Sequence, residues 1–160
     1  MKKDVIMSID QGTTGTTVVL LNHSLNILAK HNSEFTQHYP KPGWVEHSPR
    51  QIWDSTVKTI RYALLKARVN PKRVAGIGIT NQRETTVIWD RKDGRPIHRA
   101  IVWQDRRTAP LCDQLKKQGK EALVRRKSGL VIDPYFSGTK ICWLLDRVKG
   151  SKQKAAAGRL

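Results

Sequence analysis

The first 35 residues alternate apolar and polar positions with the two-residue period of β-strands. Residues 5–9 alternate clearly, and the stretches 16–21 and 25–28 are rich in β-favouring side chains. The glycine-containing link 10–15 and the turn-like residues 22–24 separate these stretches. This order predicts three strands that fold back on one another as an antiparallel meander.

A helical period follows the proline-rich loop 39–47. Ser48 can cap a helix and Pro49 suits its first position, while Asn70–Pro71 provides a stop. Apolar residues then recur at spacings of four, three and four, and we expect them to form one buried stripe: Trp53, Val57, Ile60 and Leu64. The pattern therefore predicts one helix between residues 49 and 69.

Three more apolar runs predict strands. Residues 74–80 form the first run and indicate a buried strand, whose glycines permit close packing or the approach of a ligand. Because this run follows a helix, it predicts a crossover connection. The other two expected strands are residues 85–89 and 100–103, with the turn-forming residues 90–94 between them.

The second half of the chain changes to a helical period. Apolar spacing predicts a helix over 108–119 and two further helical stretches around 121–127 and 138–148. The last ten residues, 151–160, have neither a clear cap nor a finished element. Together the patterns predict an α/β fold with a mixed sheet and flanking helices.

Length and composition favour a soluble intracellular chain. Its 160 residues suit one domain, 1–160, and no apolar run approaches the roughly 18 residues that a membrane span requires. Asp10 interrupts the first apolar stretch too early for a signal peptide. Cys112 and Cys142 form no CxxC pair, so we expect free thiols and a cytoplasmic location.

The net charge of +17 raises the possibility of a nucleic-acid partner. Residues 105–160 alone carry 14 basic and 5 acidic side chains, which is a net charge of +9. Few aromatic residues that could stack on bases accompany them, and the basic residues follow helix-like spacings. A solvated helix face explains this pattern as well, so a nucleic-acid partner is not the favoured interpretation.

The link between the first two predicted strands has the chemistry of a phosphate-binding loop. Its glycines allow backbone N–H groups to crowd around an oxyanion, its threonine hydroxyls donate hydrogen bonds, and a carboxylate at the strand end can hold Mg²⁺ through water. The residues concerned are Asp10, Gly12, Thr13, Thr14 and Gly15. An ordinary hairpin turn with strand threonines is the alternative.

This DxGTT loop resembles the first phosphate motif of the FGGY carbohydrate kinase family. Longer stretches resemble the same family, and the likeness runs from about residue 4 to the end: 39–47, 76–86, 100–104 and 129–140. The resemblance implies the N-terminal lobe of an actin-like, ribonuclease H-like ATPase fold, incomplete in this chain. It also implies transfer of phosphate from ATP, with Mg²⁺, to glycerol.

The same resemblance implies roles for individual residues. Glycerol ligands of the family map onto Arg83, Glu84 and Tyr135, and its phosphate ligands map onto Thr13, Thr14 and the position of Gly15, with Asp10 near the metal. The residue types suit a triol, because Arg donates to hydroxyls and Glu accepts from them. Trp103 is a further candidate for the wall of the polyol pocket. A surface ion pair of Arg83 with Glu84, and core packing of Tyr135 and Trp103, are the plainer interpretations.

Three positions depart from the family pattern. The family usually carries Ser at position 15 and Arg at position 17, where this chain has Gly15 and Thr17, and Arg147 replaces a polar residue such as His. Without an arginine near the transferred phosphate, the loop lacks a bidentate cationic donor. We therefore expect weaker nucleotide binding or weaker stabilisation of the transition state.

Members of the family are longer than this chain, so the resemblance covers only their N-terminal part. It implies that the catalytic base lies beyond residue 160, that residues 1–160 alone are inactive, and that the full-length protein is a homo-oligomer. A related polyol or pentulose kinase is one alternative. A basic, non-catalytic binding protein that kept the fold is the other.

Overall fold

The computed structural model describes residues 2–160 and contains seven strands and five α-helices in that range. The strands are β1 Val5–Gln11, β2 Gly15–Asn22, β3 Ile27–Glu34, β4 Gln37–His38, β5 Glu46–His47, β6 Val74–Thr80 and β7 Ala100–Ile101. The helices are α1 Pro49–Ala67, α2 Ala109–Lys117, α3 Glu121–Ser128, α4 Ser137–Arg147 and α5 Ser151–Ala156, with a short 3₁₀ turn at Pro71–Arg73.

Contacts within the chain define two compact units. The sheet unit comprises the chain up to Thr36 together with Arg50–Gln82. The helical unit comprises Gln37–Pro49 and Arg83–Leu160. The prediction of a single domain over residues 1–160 stays a prediction.

The sheet unit is built on four strands in the order β3-β2-β1-β6. Strands β1, β2 and β3 pair antiparallel, and β6 pairs parallel with β1. The predicted meander and the predicted crossover are therefore both confirmed, with α1 as the crossover helix. The third strand begins at Ile27 rather than at residue 25, because Leu25 takes a left-handed conformation (φ 61°) in the preceding turn.

The most deeply buried positions of α1 are occupied by small residues. Ser55, Thr59 and Ala63 are buried, whereas Trp53 of the expected apolar stripe is 63% exposed. The predicted buried stripe is therefore only partly confirmed: it is wrong at Trp53, whereas Ile60 and Leu64 are partly buried and pack against the core. Short side chains let the helix lie close over the apolar strand residues beneath it, which are Val5, Met7, Ile9, Val18 and Leu20. The larger side chains of Ile60 and Leu64 lie beside these small residues and extend the contact with the core.

Strand β6 is an edge strand, and its side chains are largely exposed. Its Ile77 pairs in register with Met7 and its Ile79 with Ile9, yet Ile77 is 57% exposed and Ile79 is 71% exposed. The prediction of a buried strand at 74–80 is thus correct in its secondary structure and wrong in its burial. Within the sheet unit, β6 has a paired neighbour on one side only.

The helical unit contains a small three-stranded sheet in the order β4-β5-β7, together with α2 to α5. The expected strand at 85–89 is wrong, because the segment forms only two isolated bridges, Thr86 to Ile101 and Trp89 to Pro96. The expected strand at 100–103 is shortened to β7. The last ten residues contain a further helix, α5, which the sequence patterns did not predict.

Arg107 organises the interior of the helical unit. Its guanidinium is buried and pairs with Asp105 at 2.8 Å and with Glu46 at 2.9 Å. It also stacks 3.8 Å from the ring centroid of Trp44 and 4.6 Å from that of Trp143. These contacts join β5, the loop before α2 and α4, so that α4 is fixed within the unit. Across residues 2–160, no helix has the length and apolar character needed to span a membrane.

Candidate functional site

Glu84 lies in a tight turn of the helical unit with a left-handed backbone (φ 64°). Its carboxylate oxygen Oε2 accepts two hydrogen bonds from Ser137, one from the backbone N–H at 2.8 Å and one from the hydroxyl at 2.7 Å. Ser137 is the first residue of α4, where backbone N–H groups have no partner within the helix. The start of α4 therefore fixes the Glu84 carboxylate in place.

Lys140, one turn further along α4, is fully buried. Its ammonium group donates to the carbonyl oxygen of Glu84 at 3.2 Å and to that of Phe136 at 3.5 Å, and it also donates to the carbonyl oxygen of Tyr135. Burial lowers the pKa of Lys140, while the neighbouring charge of Glu84 acts in the opposite direction. One buried lysine thus joins two of the segments that carry the expected polyol ligands.

Aromatic rings lie beside these two segments. The rings of Tyr135 and Trp103 meet edge to face with centroids 6.0 Å apart, and Tyr135 packs in the same manner on Phe136 at 5.1 Å. The backbone N–H of Trp103 donates to the hydroxyl of Thr85 at 3.3 Å. Tyr135 and Trp103 are each about one third exposed, so both rings present a surface to solvent as well as to their neighbours.

The helical unit therefore brings together Glu84, Tyr135 and Trp103. Arg83 directly precedes Glu84 and has an exposed side chain. Ser137 and Lys140 were not singled out by sequence reasoning, although both lie in the stretch 129–140 that carries the family resemblance. The usable signal was a lysine at an otherwise apolar position of an amphipathic helix.

The expected phosphate loop is the turn of the β1–β2 hairpin in the sheet unit. The backbone N–H of Gly12 donates to the carbonyl oxygen of Gly15 at 2.9 Å, which leaves Thr13 and Thr14 at the tip. The amide of Gln82 donates to the carbonyl oxygen of Gly12 at 2.9 Å. Residues 12–15 thus form one short, ordered turn between β1 and β2.

Hydroxyl groups hold the base of this hairpin. The side-chain oxygen of Gln11 accepts from Thr16 at 2.7 Å and from Thr56 of α1 at 2.9 Å, and Thr16 also contacts the Ser55 hydroxyl at 3.0 Å. At position 17, where the family usually carries Arg, the hydroxyl of Thr17 accepts a hydrogen bond from the side-chain amide of Asn32 at 2.9 Å. The turn is therefore supported from the helix below and from β3 beside it.

Asp10 is exposed at the end of β1, next to this turn. In the described part of the chain, no three side chains of His, Cys, Asp or Glu lie close enough together to hold a metal ion. A single exposed carboxylate does not fit an all-protein metal cage. It does fit Mg²⁺, which keeps most of its waters and is bound through one or two carboxylates together with substrate phosphates.

The chain belongs to the FGGY family of carbohydrate kinases, since the model of the N-terminal domain of that family matches residues 5–158. Over 97% of its length, the chain is 58% identical to a glycerol kinase of Chelativorans sp.. Over its whole length, it is 54% identical to a glycerol kinase of Carboxydothermus hydrogenoformans. It spans about a third of the length of these relatives, 31% and 32% respectively.

Solved structures agree with this assignment. A crystal structure of Plasmodium falciparum glycerol kinase with ADP matches 99% of the chain with a TM-score of 0.90 and 35% identity, and the match spans 32% of that protein. A ligand-bound xylulose kinase of Lactobacillus acidophilus matches 89% of the chain with a TM-score of 0.81 at 24% identity, which bears on the fold alone. The predicted family and the predicted α/β, actin-like fold class are confirmed.

Proposed function

We propose that this chain is the N-terminal part of an ATP-dependent glycerol kinase. The observation that carries the proposal is the 58% identity to a glycerol kinase over nearly the whole chain. The same stretch places a carboxylate and two aromatic rings in one compact unit, at Glu84, Tyr135 and Trp103. The complete protein would form sn-glycerol 3-phosphate and ADP from glycerol and ATP.

In this proposal glycerol binds to residues of the helical unit. The guanidinium of Arg83 donates to glycerol hydroxyls, and the carboxylate of Glu84 accepts from them. The rings of Tyr135 and Trp103 offer an apolar surface to the carbon backbone of the triol. Both Glu84–Ser137 hydrogen bonds go to Oε2, so Oε1 is the atom that we assign to a hydroxyl of the substrate.

The hairpin turn of the sheet unit binds phosphate in this proposal. Backbone N–H groups and hydroxyls of the turn donate to the phosphate oxygens of ATP, through Gly12, Thr13, Thr14 and Gly15. Asp10 holds a water of the Mg²⁺ that accompanies the nucleotide. The ADP in the Plasmodium relative supports nucleotide use by this fold.

Phosphoryl transfer joins a glycerol oxygen to the γ-phosphorus, breaks its bond to ADP, and requires a base that takes the hydroxyl proton. We assign no base among residues 2–160. Because the chain corresponds to about a third of its relatives, we expect residues 1–160 alone to bind ligands without turnover. We place the full-length protein in the cytoplasm as a homo-oligomer.

Calorimetric titration of the purified chain with glycerol, xylulose and gluconate tests the polyol site. Glycerol should bind more tightly than the other two, and Glu84→Gln should weaken glycerol binding about tenfold or more, because it removes a charged acceptor. Glu121→Gln makes the same change on an exposed residue of α3 and should leave the affinity unchanged. Preferential binding of xylulose would indicate a pentulose kinase instead.

A coupled assay of ADP release with glycerol and ATP tests the second part of the proposal. The 160-residue chain should release ADP no faster than a blank without protein. Turnover at ordinary kinase rates, about 1–100 per second, would show that residues 1–160 contain a complete active site.

A further inference from the structure

The two segments that carry Glu84 and Tyr135 are far apart in sequence but are joined at the start of α4. Ser137 binds the carboxylate of Glu84 with its backbone N–H and with its hydroxyl. Lys140 binds the carbonyl oxygens of Glu84, Tyr135 and Phe136 with one ammonium group. Side chain and backbone of Glu84 are thus both held by residues within the first turn of a single helix.

The conformation of Glu84 explains why such support is needed. The left-handed backbone conformation costs a residue with a Cβ atom roughly 1 kcal/mol or more. This conformation persists only where the surrounding structure determines it. The carbonyl oxygen of Glu84 accepts from Lys140 and also from the hydroxyl of Thr86 at 3.2 Å. These bonds hold the turn in the strained conformation that directs its carboxylate to Ser137.

The burial of Lys140 indicates a specific role for its ammonium group. Lysine is almost never fully buried unless its charge has partners, because removing an ammonium group from water is costly. Here the three donor positions of the ammonium group match three backbone carbonyl oxygens of two different segments. A lysine whose only role was to fill space could be replaced by an apolar residue of the same length at no loss.

We propose that Lys140 and Ser137 are positioning residues of the polyol site, which set the Glu84 carboxylate relative to Tyr135 by clamping their two segments together. The inference rests on the proposed function, since it assumes that Glu84 and Tyr135 contact the polyol. Lys140 lies behind these segments and acts through their backbones. Loss of the clamp lowers the fraction of molecules whose site is correctly arranged, and the apparent affinity falls by the same factor.

Four variants of the purified chain test the clamp. Lys140→Met keeps the length of the side chain and removes its donors. Ser137→Ala removes the hydroxyl, and Ser137→Thr restores it. The matched control is Lys149→Met, which makes the same substitution at an exposed lysine just beyond α4.

Amide hydrogen exchange measures, without any ligand, whether Lys140 holds the Glu84 carboxylate against Ser137. In Lys140→Met the N–H of Ser137 should exchange at least tenfold faster, because its acceptor Glu84 is no longer held. The N–H of Val148, which donates to Leu144 at the far end of α4, should keep its rate. Unchanged exchange at Ser137, or a uniform acceleration that includes Val148, would overturn the proposal in favour of a purely structural lysine.

Calorimetric titration with glycerol measures how each variant changes the affinity for glycerol. Lys140→Met and Ser137→Ala should each weaken binding about tenfold, Ser137→Thr should restore it to within about threefold, and Lys149→Met should match the unmodified chain. If the unmodified chain binds glycerol and the variants bind it equally well, the clamp is wrong and the proposed function stands. If the unmodified chain binds no polyol, the proposed function fails for this chain, and the exchange rates alone decide the clamp.

Discussion

At the scale of single residues, Gly15 determines how closely β2 can approach β3. A Cβ atom at this position would lie 2.7 Å from the carbonyl oxygen of Ser33 and 3.1 Å from the Cα of Glu34. The family that the chain resembles usually carries Ser here. The hairpin turn of this chain is therefore built around the absence of a side chain.

Gly15→Ala should lower the free energy of unfolding by about 1–3 kcal/mol, because backbone atoms of β3 must move to admit the methyl group. Gly78→Ala on β6 is the matched control, since a Cβ atom there would meet nothing within 4 Å. Gly78→Ala should change the free energy of unfolding little or raise it slightly, because alanine makes the unfolded chain less flexible than glycine does. Urea denaturation measures both, and equal losses would contradict the close approach.

The two cysteines differ in their exposure to solvent. Cys112 is buried and Cys142 is exposed, and both are free thiols as the sequence predicts. Burial raises the pKa of the Cys112 thiol, so it is also the poorer source of thiolate. Their environments therefore separate two otherwise equivalent side chains.

Ellman's reagent should modify one thiol of the folded chain within minutes and the second only after unfolding in urea. Cys142→Ser should abolish the fast reaction and leave the slow one. Rapid modification of both thiols in the folded chain would show that the packing around Cys112 opens readily.

At the scale of elements, a set of charges fixes the end of the chain to a turn of the helical unit. Asp90 accepts from the backbone N–H of Lys92 at 3.0 Å, from the ammonium of Lys154 in α5 at 3.1 Å and from the guanidinium of Arg159 at 2.7 Å. These groups, the Lys92 N–H first, lower the pKa of Asp90 to about 2. The carboxylate thereby holds α5 in place.

Because the pKa of Asp90 is lower in the folded chain than in the unfolded chain, where it is about 3.9, its ionised form favours folding. This contribution is fully present above pH 4 and is lost as the pH falls towards 2. Asp90→Asn should lower the melting temperature at pH 7, and the difference from the unmodified chain should shrink between pH 4 and 2. The exposed Asp113→Asn is the control, and equal effects of the two would contradict the role of Asp90.

The position of α1 shows how packing overrules a hydrophobic pattern. Ser55, Thr59 and Ala63 face the sheet, because their short side chains permit a close approach and the two hydroxyls bond within the helix or to the hairpin. Trp53 and Leu65 are left exposed. Counting apolar residues along the helix therefore misplaces the centre of its buried face, although Ile60 and Leu64 do pack against the core.

At the scale of the whole molecule, the sheet unit exposes several large apolar side chains. Ile77 and Ile79 on β6 are mostly exposed, as are Trp53 and Leu65 on α1. Contiguous apolar patches mark protein or membrane interaction sites, ligand-binding grooves or sites of aggregation.

The dye ANS, which fluoresces on apolar protein surfaces, should bind the folded chain. The double variant Ile77→Thr with Ile79→Thr should remove at least half of the dye signal, while threonine keeps the β-propensity of the strand. Leu25→Thr, at an isolated turn residue that is 67% exposed, is the control and should change little. An unchanged signal in the double variant would place the apolar surface elsewhere.

Much of the candidate site was accessible from the sequence because it is made of short local segments. The turn from Gly12 to Gly15 and the pair Arg83–Glu84 are each contiguous; residue types singled out the turn, and the family resemblance singled out the pair. The contribution of Ser137 and Lys140 was not predicted, because their bonds to Glu84 join residues more than 50 positions apart. A helical pattern shows that Lys140 lies on an apolar face but not which carbonyl groups it meets.

The sequence by itself determined the meander, the crossover helix and the turn of the β1–β2 hairpin, because alternation, capping residues and turn glycines act within a few neighbouring residues. Only the tertiary structure decided which face of α1 is buried, that 85–89 forms bridges instead of a strand, and that residues 151–156 form a helix. It also decided that one turn of α4 holds Glu84. These outcomes depend on contacts between distant segments, which no local pattern encodes.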